Sequence, residues 1–181
     1  MIYVFLAEGF EETEAIAPID CLRRAGKTVR IAGVGGTVIR GAHGIEVGCD
    51  LTAEEITLDD NLEMVVLPGG MPGTVNLGNS NAVRDALTFC AEHDRYIAAI
   101  CAAPTVPGKM GLLKGKRATC YPGCEGDLTG AYYIPEPAVA DGRFLTGRGP
   151  GAAMDFGLLL VETLCGRQTA EKLAAGMVYT K

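Results

Sequence analysis

Residues 96–105 read YIAAICAAPT: an apolar run meets a cysteine, and two alanines and a proline follow. A thiol where a buried strand gives way to a helix suits a nucleophile as well as it suits core packing. On a tight strand-to-helix turn the side chain projects from the edge of the sheet. The first N–H groups of the following helix, with its macrodipole, favour negative charge there. The expectation is therefore a thiol at Cys101 whose pKa is lowered toward thiolate. Ala102 and Ala103 leave the position open, and Pro104 fits an early helical turn where a missing N–H costs little. Two other groups bear on the same chemistry. Leu67-Pro68-Gly69-Gly70 closes another strand-like run and offers backbone donors to a developing oxyanion. Glu11, Glu12 and Glu14 open a helix, where carboxylates complement the dipole and ordinarily face water. Spacing alone does not select which of the three turns inward, and Pro18 disturbs the helical register. Free cysteine is also among the most buried residue types, so the local pattern leaves Cys101 open between packing and reactivity.

These groups need elements to position them. IYVFLA (2–7), TVRIAGV (28–34), EMVVLPGG (63–70) and YIAAI (96–100) read as short buried strands. Between them, Ala15, Ile16, Ile19 and Leu22 share one predicted helical face, closed by Gly26, and Val83, Leu87 and Cys90 share another, with Ser80 or Asn81 as its cap. Strands alternating with helices predict βαβ units around a largely parallel sheet covered on both faces. GGTVIRGAHGIEVGCDL (35–51) reads as a short antiparallel excursion at an edge, and Asp141-Gly142 signals a hairpin. AAMDFGLLLVETLCG predicts a final long helix ending at Gly166, and TAEKLAAGM one further short one. Pro107-Gly108 should shorten or bend the helix after Cys101. No repeat or linker divides residues 1–181, which read as one domain.

Composition removes several function classes. With 48% hydrophobic and 21% charged residues the chain is ordinary for a packed core. A net charge of -6 without a basic stripe argues against nucleic acid as a partner. The apolar run at the N-terminus is too short for a signal peptide or a membrane span, so the expected setting is the cytoplasm. Seven cysteines, an odd count, do not suggest a disulfide framework. With two histidines, His43 and His93, a Cys/His metal site lacks obvious ligands, and no metal or cofactor is expected. Cys120 and Cys124, in CYPGC, are either a regulatory disulfide or two buried thiols flanking a turn.

GFEETEAIAPIDCLRRAGKTVRIAG, VVLPGGMPG, AAICAAPT and TGRGPGAAMDFGLLLVETL, in that order, resemble the ThiJ/PfpI superfamily, in the branch of the parkinsonism-associated deglycase. The resemblance spans nearly the whole chain. It implies a flavodoxin-like three-layer sandwich, a homodimer, a reactive Cys101, and a carboxyl group on Glu14 bonded to the sulfur. It also implies oxyanion donors at the backbone of Gly70 and Ala102, with Gly69 and Tyr121 beside the pocket. The implied activity is cofactor-independent conversion of small dicarbonyls, methylglyoxal or glyoxal, or repair of their early glycation adducts. The alternative is a redox sensor or redox-regulated chaperone in which a Cys101 sulfinate is stabilised by Glu14. Two departures stand out. Tyr121 occupies a position where many relatives carry histidine, and a phenol is a poor base near neutrality. Ala102 follows the cysteine where the peptidase-like branch has histidine, which argues against a protease or amidotransferase needing a Cys–His pair. Activity is therefore expected to be present but modest.

Overall fold

The computed structural model describes residues 1–180. Strand β1 (Ile2–Ala7) leads through helix α1 (Glu12–Arg24) to β2 (Val29–Val34), the hairpin β3 (Val38–Arg40) and β4 (Glu46–Gly48), and β5 (Leu51–Thr52). Strand β6 (Met64–Leu67), helices α2 (Gly73–Asn79) and α3 (Asn81–Glu92), and β7 (Tyr96–Ile100) follow. After the short helix α4 (Thr105–Lys109) come β8 (Arg117–Ala118), β9 (Tyr132–Tyr133), β10 (Ala138–Asp141) and β11 (Phe144–Gly147). Helices α5 (Ala153–Cys165) and α6 (Arg167–Gly176) complete the order. Seven strands form the main sheet in the order β10-β11-β7-β6-β1-β2-β5. Every neighbouring pair is parallel except β10 with β11. The predicted hairpin at Asp141-Gly142 is this antiparallel pair, with Gly142 at φ +60° in the turn.

The strand order explains why β1 is apolar throughout. It lies inside the sheet, so Ile2, Val4 and Leu6 pack with α1 and α5 on one face while Tyr3, Phe5 and Ala7 pack against α3 on the other. A parallel strand buried on both faces has no side left for polar residues. From β1 the chain steps outward to β2 and β5, then returns to β6 on the opposite side of β1 and continues to β7. Crossovers are right-handed, so reversing direction moves the helices to the other face. Helices α1, α5 and α6 accordingly share one layer with residues such as Ile19, Phe156 and Ala170, and α2 and α3 occupy the other with Leu77 and Leu87. The three-layer, flavodoxin-like arrangement expected from the sequence is the one observed. Ligands in such sheets bind where the strand order reverses, which here lies between β1 and β6.

Helix α1 is rotated relative to its predicted face. Ala15, Pro18, Ile19 and Leu22 are buried, but Ile16 is 44% exposed. The rotation carries Glu14 and Cys21 inward in place of Ile16. Pro18 supplies no N–H to the Glu14 carbonyl, yet the helix runs through it, held by close packing on α5. A Cβ at Gly157 of α5 would lie 2.9 Å from the Cys21 sulfur and 3.2 Å from the Pro18 Cα. Capping follows expectation elsewhere: the Ser80 hydroxyl accepts the Val83 N–H at the start of α3, and Gly166 ends α5 at φ +85°.

Because α1 carries Glu14 and sits against Gly157, overpacking at that contact is a test of the arrangement. Gly157→Val should lower unfolding stability by about 1–3 kcal/mol, read as a lower urea midpoint with an unchanged slope.

Candidate functional site

Cys101 directly follows β7, and it is one of three non-glycine residues among those described with positive φ, at +66°. This left-handed backbone costs roughly 1–3 kcal/mol for a residue with a Cβ and survives only when its surroundings enforce it. The clamps are backbone bonds on both sides. Cys101 N–H donates to the Gly147 carbonyl at 2.9 Å, and the Tyr121 N–H donates to the Cys101 carbonyl at 2.8 Å. The turn therefore aims the side chain away from the strand and toward α1.

Glu14 meets it there. The carboxyl group is fully buried, and its Oε2 accepts the Gly69 N–H at 2.9 Å. It lies beside the Cys101 side chain, and its second oxygen, Oε1, is buried without a hydrogen-bond partner. Gly69 shows how tight the junction is: a Cβ on it would fall 2.7 Å from both the Cys101 Cβ and the Glu14 Oε2. No other residue fits between the two groups. Next to it, Gly70 takes φ +92°, and a Cβ on it would collide with the backbone of Gly9, Phe10 and Glu11. The segment after β6 is thereby held against the segment after β1, and Glu11 N–H donates to the Gly69 carbonyl at 2.9 Å. Sequence-distant residues after three strands converge at the switch point.

Burial raises the Glu14 pKa from 4.5 to about 7, opposed by the Cys101 contact and the Gly69 N–H and assisted by the charge of Glu11. Burial also pushes the Cys101 thiol up to about 12, reinforced by the charge and hydrogen bond of Glu14, while the N–H groups of Ala102 and Gly70 pull it down. The thiol lowered by a helix terminus, expected from the sequence, is not what the structure contains. Residues 101–104 form a turn, and α4 begins only at Thr105 and spans five residues. Its shortness follows from Pro107-Gly108, as expected, and leaves no macrodipole of consequence at the sulfur. The nearest charge is instead Glu14, of the same sign as a thiolate. A proton on Glu14 removes that repulsion and lets the carboxyl donate to sulfur, so the two groups titrate as a pair.

Each acid of the EETE segment has a separate partner. Glu11 caps α1, its side chain accepting the Glu14 N–H at 2.7 Å. Glu12 is buried and faces the loop between β3 and β4, with His43 N–H at 2.8 Å from Oε1 and His43 Nδ1 at 2.8 Å from Oε2. Burial works against the Glu12 charge, yet these bonds hold its pKa below the ordinary range, and the same pairing raises that of His43. The sequence reading missed this pair. The available signal was Gly41, whose missing Cβ makes room for the Glu12 carboxylate. Donor atoms of Glu11, Glu12 and His43 lie within 4.8 Å of one another, but they already bond to each other and to α1.

Tyr121 is 49% exposed and lines a cavity of about 360 Å³ with Arg148, Gly149 and Pro150, beside the clamped turn. Its backbone N–H is the donor to the Cys101 carbonyl. Cys120 and Cys124 are both free thiols, Cys120 buried and Cys124 only partly so.

A doubly covered, mostly parallel sheet with a cysteine held in a left-handed turn against a buried carboxyl defines a class of α/β proteins, not merely a fold. The chain belongs to the DJ-1/PfpI family, which it matches over residues 1–163. It is 39% identical to protein dj-1beta of Drosophila melanogaster over 178 residues, covering 97% of this chain and 95% of that one. It is 35% identical over 153 residues to a protein of Pyrococcus abyssi named as a deglycase, covering 83% of this chain and 90% of the relative. The solved structure of oxidised Toxoplasma gondii DJ-1 superposes with a TM-score of 0.94 at 32% identity, covering 99% and 98% of the two chains.

The raised Glu14 pKa has a consequence for stability. A folded-state value above the unfolded one favours the native state fully below pH 4.5, and that advantage is lost as pH rises through about 7. Relative to Glu14→Gln, wild type should therefore lose about 3 kcal/mol across this window, as measured by urea unfolding of both at a series of pH values.

Proposed function

We propose that this protein is a cysteine-dependent, cofactor-independent enzyme acting on small dicarbonyls such as methylglyoxal and glyoxal, or on their early glycation adducts. The observation that carries the reading is the buried Glu14 carboxyl, titrating near neutrality in contact with the Cys101 thiol. A proton-transfer group works best with a pKa close to the operating pH. The deglycase name of the Pyrococcus abyssi relative supports the same direction.

The steps use this chain's own groups. The Cys101 sulfur adds to the aldehyde carbon as its proton passes to Glu14, and the carbonyl oxygen becomes the hydroxyl of a hemithioacetal. Backbone N–H groups of Gly70 and Ala102, which already point at the sulfur, stabilise charge on that oxygen. Glu14, having released its proton, takes the hydrogen from the same carbon to give an enediolate, whose charged oxygen then receives the proton of the neighbouring hydroxyl. Glu14 returns the proton to the adjacent carbon, producing a 2-hydroxy thioester. Water hydrolyses the thioester, releasing the hydroxy acid and restoring the thiol. Tyr121 forms a wall of the pocket and takes no proton in this scheme, so turnover is modest. The same reading places the protein in the cytoplasm as a homodimer; no helix among the described residues is long and apolar enough to cross a membrane.

A second reading draws on the same pair. A protonated Glu14 donates to a sulfinate on Cys101, which stabilises that oxidation state and suits a redox sensor or redox-regulated chaperone.

Pure protein given methylglyoxal without glutathione or metal should form lactate, and Cys101→Ser and Glu14→Gln should each reduce the rate at least ~100-fold. An inert wild type that gains two oxygens at Cys101 in dilute peroxide would overturn the enzyme in favour of the sensor.

A further inference from the structure

A cleft of about 410 Å³ opens beside Ala102, between α2, α4 and the segment following Tyr121. A small dicarbonyl held at Cys101 has no use for most of it. Met71 and Val75 of one wall and Val106 and Met110 of the other supply its apolar surface, and Gly78 adds no side chain; Thr74 and Thr105 also line it, the buried Thr74 hydroxyl without a hydrogen-bond partner. Met71 is 62% exposed and Val75 47%, apolar surface with no partner in the fold. The charged groups along it are already committed. Lys109 pairs with Asp127 at 3.0 Å, and Arg84 bonds the Asn81 side chain and the Gly78 carbonyl. Nothing in the cleft therefore asks for a charged ligand. Ala102, the residue directly after Cys101, is itself a lining residue, so the cleft opens next to the reacting centre.

We propose that this cleft receives the aliphatic tail of a longer 2-oxoaldehyde whose aldehyde carbon is bound at Cys101. The inference rests on the dicarbonyl reading above and names its preferred substrate class: alkyl-substituted 2-oxoaldehydes, such as those left by oxidation of aliphatic chains, rather than the shortest members. The chemistry is unchanged, and the product is the corresponding 2-hydroxy acid. Each methylene moved from water into an apolar wall favours binding by a roughly constant increment, so the gain should appear in KM and grow with chain length until the cleft is filled.

Gly78 provides the test. A Cβ there meets only the Val106 Cγ2, at 3.6 Å, an ordinary contact, and Gly78 lies in α2 without positive φ. Gly78→Leu should fold and fill the cleft, and Val75→Trp should narrow it from the exposed side. Both are compared with wild type on 2-oxooctanal and methylglyoxal, with circular dichroism as the check of folding. The expected result is a kcat/KM ratio, 2-oxooctanal over methylglyoxal, reduced at least ~10-fold in Gly78→Leu through a rise in KM. A second arm needs no turnover: 2-hydroxyoctanoate added to Cys101→Ser should shift the amide NMR signals of Met71, Val75 and Val106, and lactate should not. An unchanged ratio in both folded variants, or no shift at those amides, overturns the proposal. If wild type converts neither dicarbonyl, the catalytic reading fails by itself and the amide shifts alone decide what the cleft binds.

Discussion

Everything at the site follows from placing a carboxyl group against a thiol in a space with almost no water. Glu14 has lost its hydration entirely, and one backbone N–H, from Gly69, replaces only part of it. A carboxylate so poorly compensated holds its proton up to about pH 7. The thiol beside it cannot ionise independently, because its nearest charge would be of the same sign. The reactive state is thus a property of two residues. The backbone donors of Gly70 and Ala102 tilt that balance toward negative charge at sulfur.

The fold holds this contact together by close backbone approach rather than by large side chains. Gly69 separates the two groups, Gly70 brings the end of β6 onto the turn after β1, and Gly157 lets α5 seat α1 so that Glu14 reaches inward. Each position admits no Cβ without displacement of a neighbour. The topology supplies the rest, since β1 and β6 are where the chain reverses its direction across the sheet. Helices on opposite faces leave the strand ends open there and nowhere else in the sheet's interior.

Much of this was legible in the sequence, for identifiable reasons. Both-face burial makes β1, β6 and β7 short continuous apolar runs, so the sheet and its alternating helices could be read directly. Local turn chemistry announced the β10–β11 hairpin, the Ser80 cap and the shortness of α4, which ends just past Pro107-Gly108. Long-range geometry was less accessible. The rotation of α1 that exposes Ile16 depends on contacts with α5 and with Gly69, distant in sequence. From the residues alone Glu14 could not be told from Glu11 and Glu12; only the family resemblance named it. The Glu12–His43 pair is 31 residues apart and has no local signature beyond a glycine. The direction of the thiol shift was misjudged because sequence suggests a helix start but not the desolvation that outweighs it.

The backbone bonds that clamp position 101 involve Gly147 and Tyr121 main-chain atoms and make no reference to the side chain between them. The turn therefore behaves as a socket. Whatever side chain of similar bulk occupies it is presented to Glu14 and to the two amides from the same point, with the sheet indifferent to its identity. One codon decides whether the socket holds sulfur, oxygen or a methyl group, while the rest of the chain decides only where that group stands. A protein built in this way can change or lose its chemistry without changing its shape.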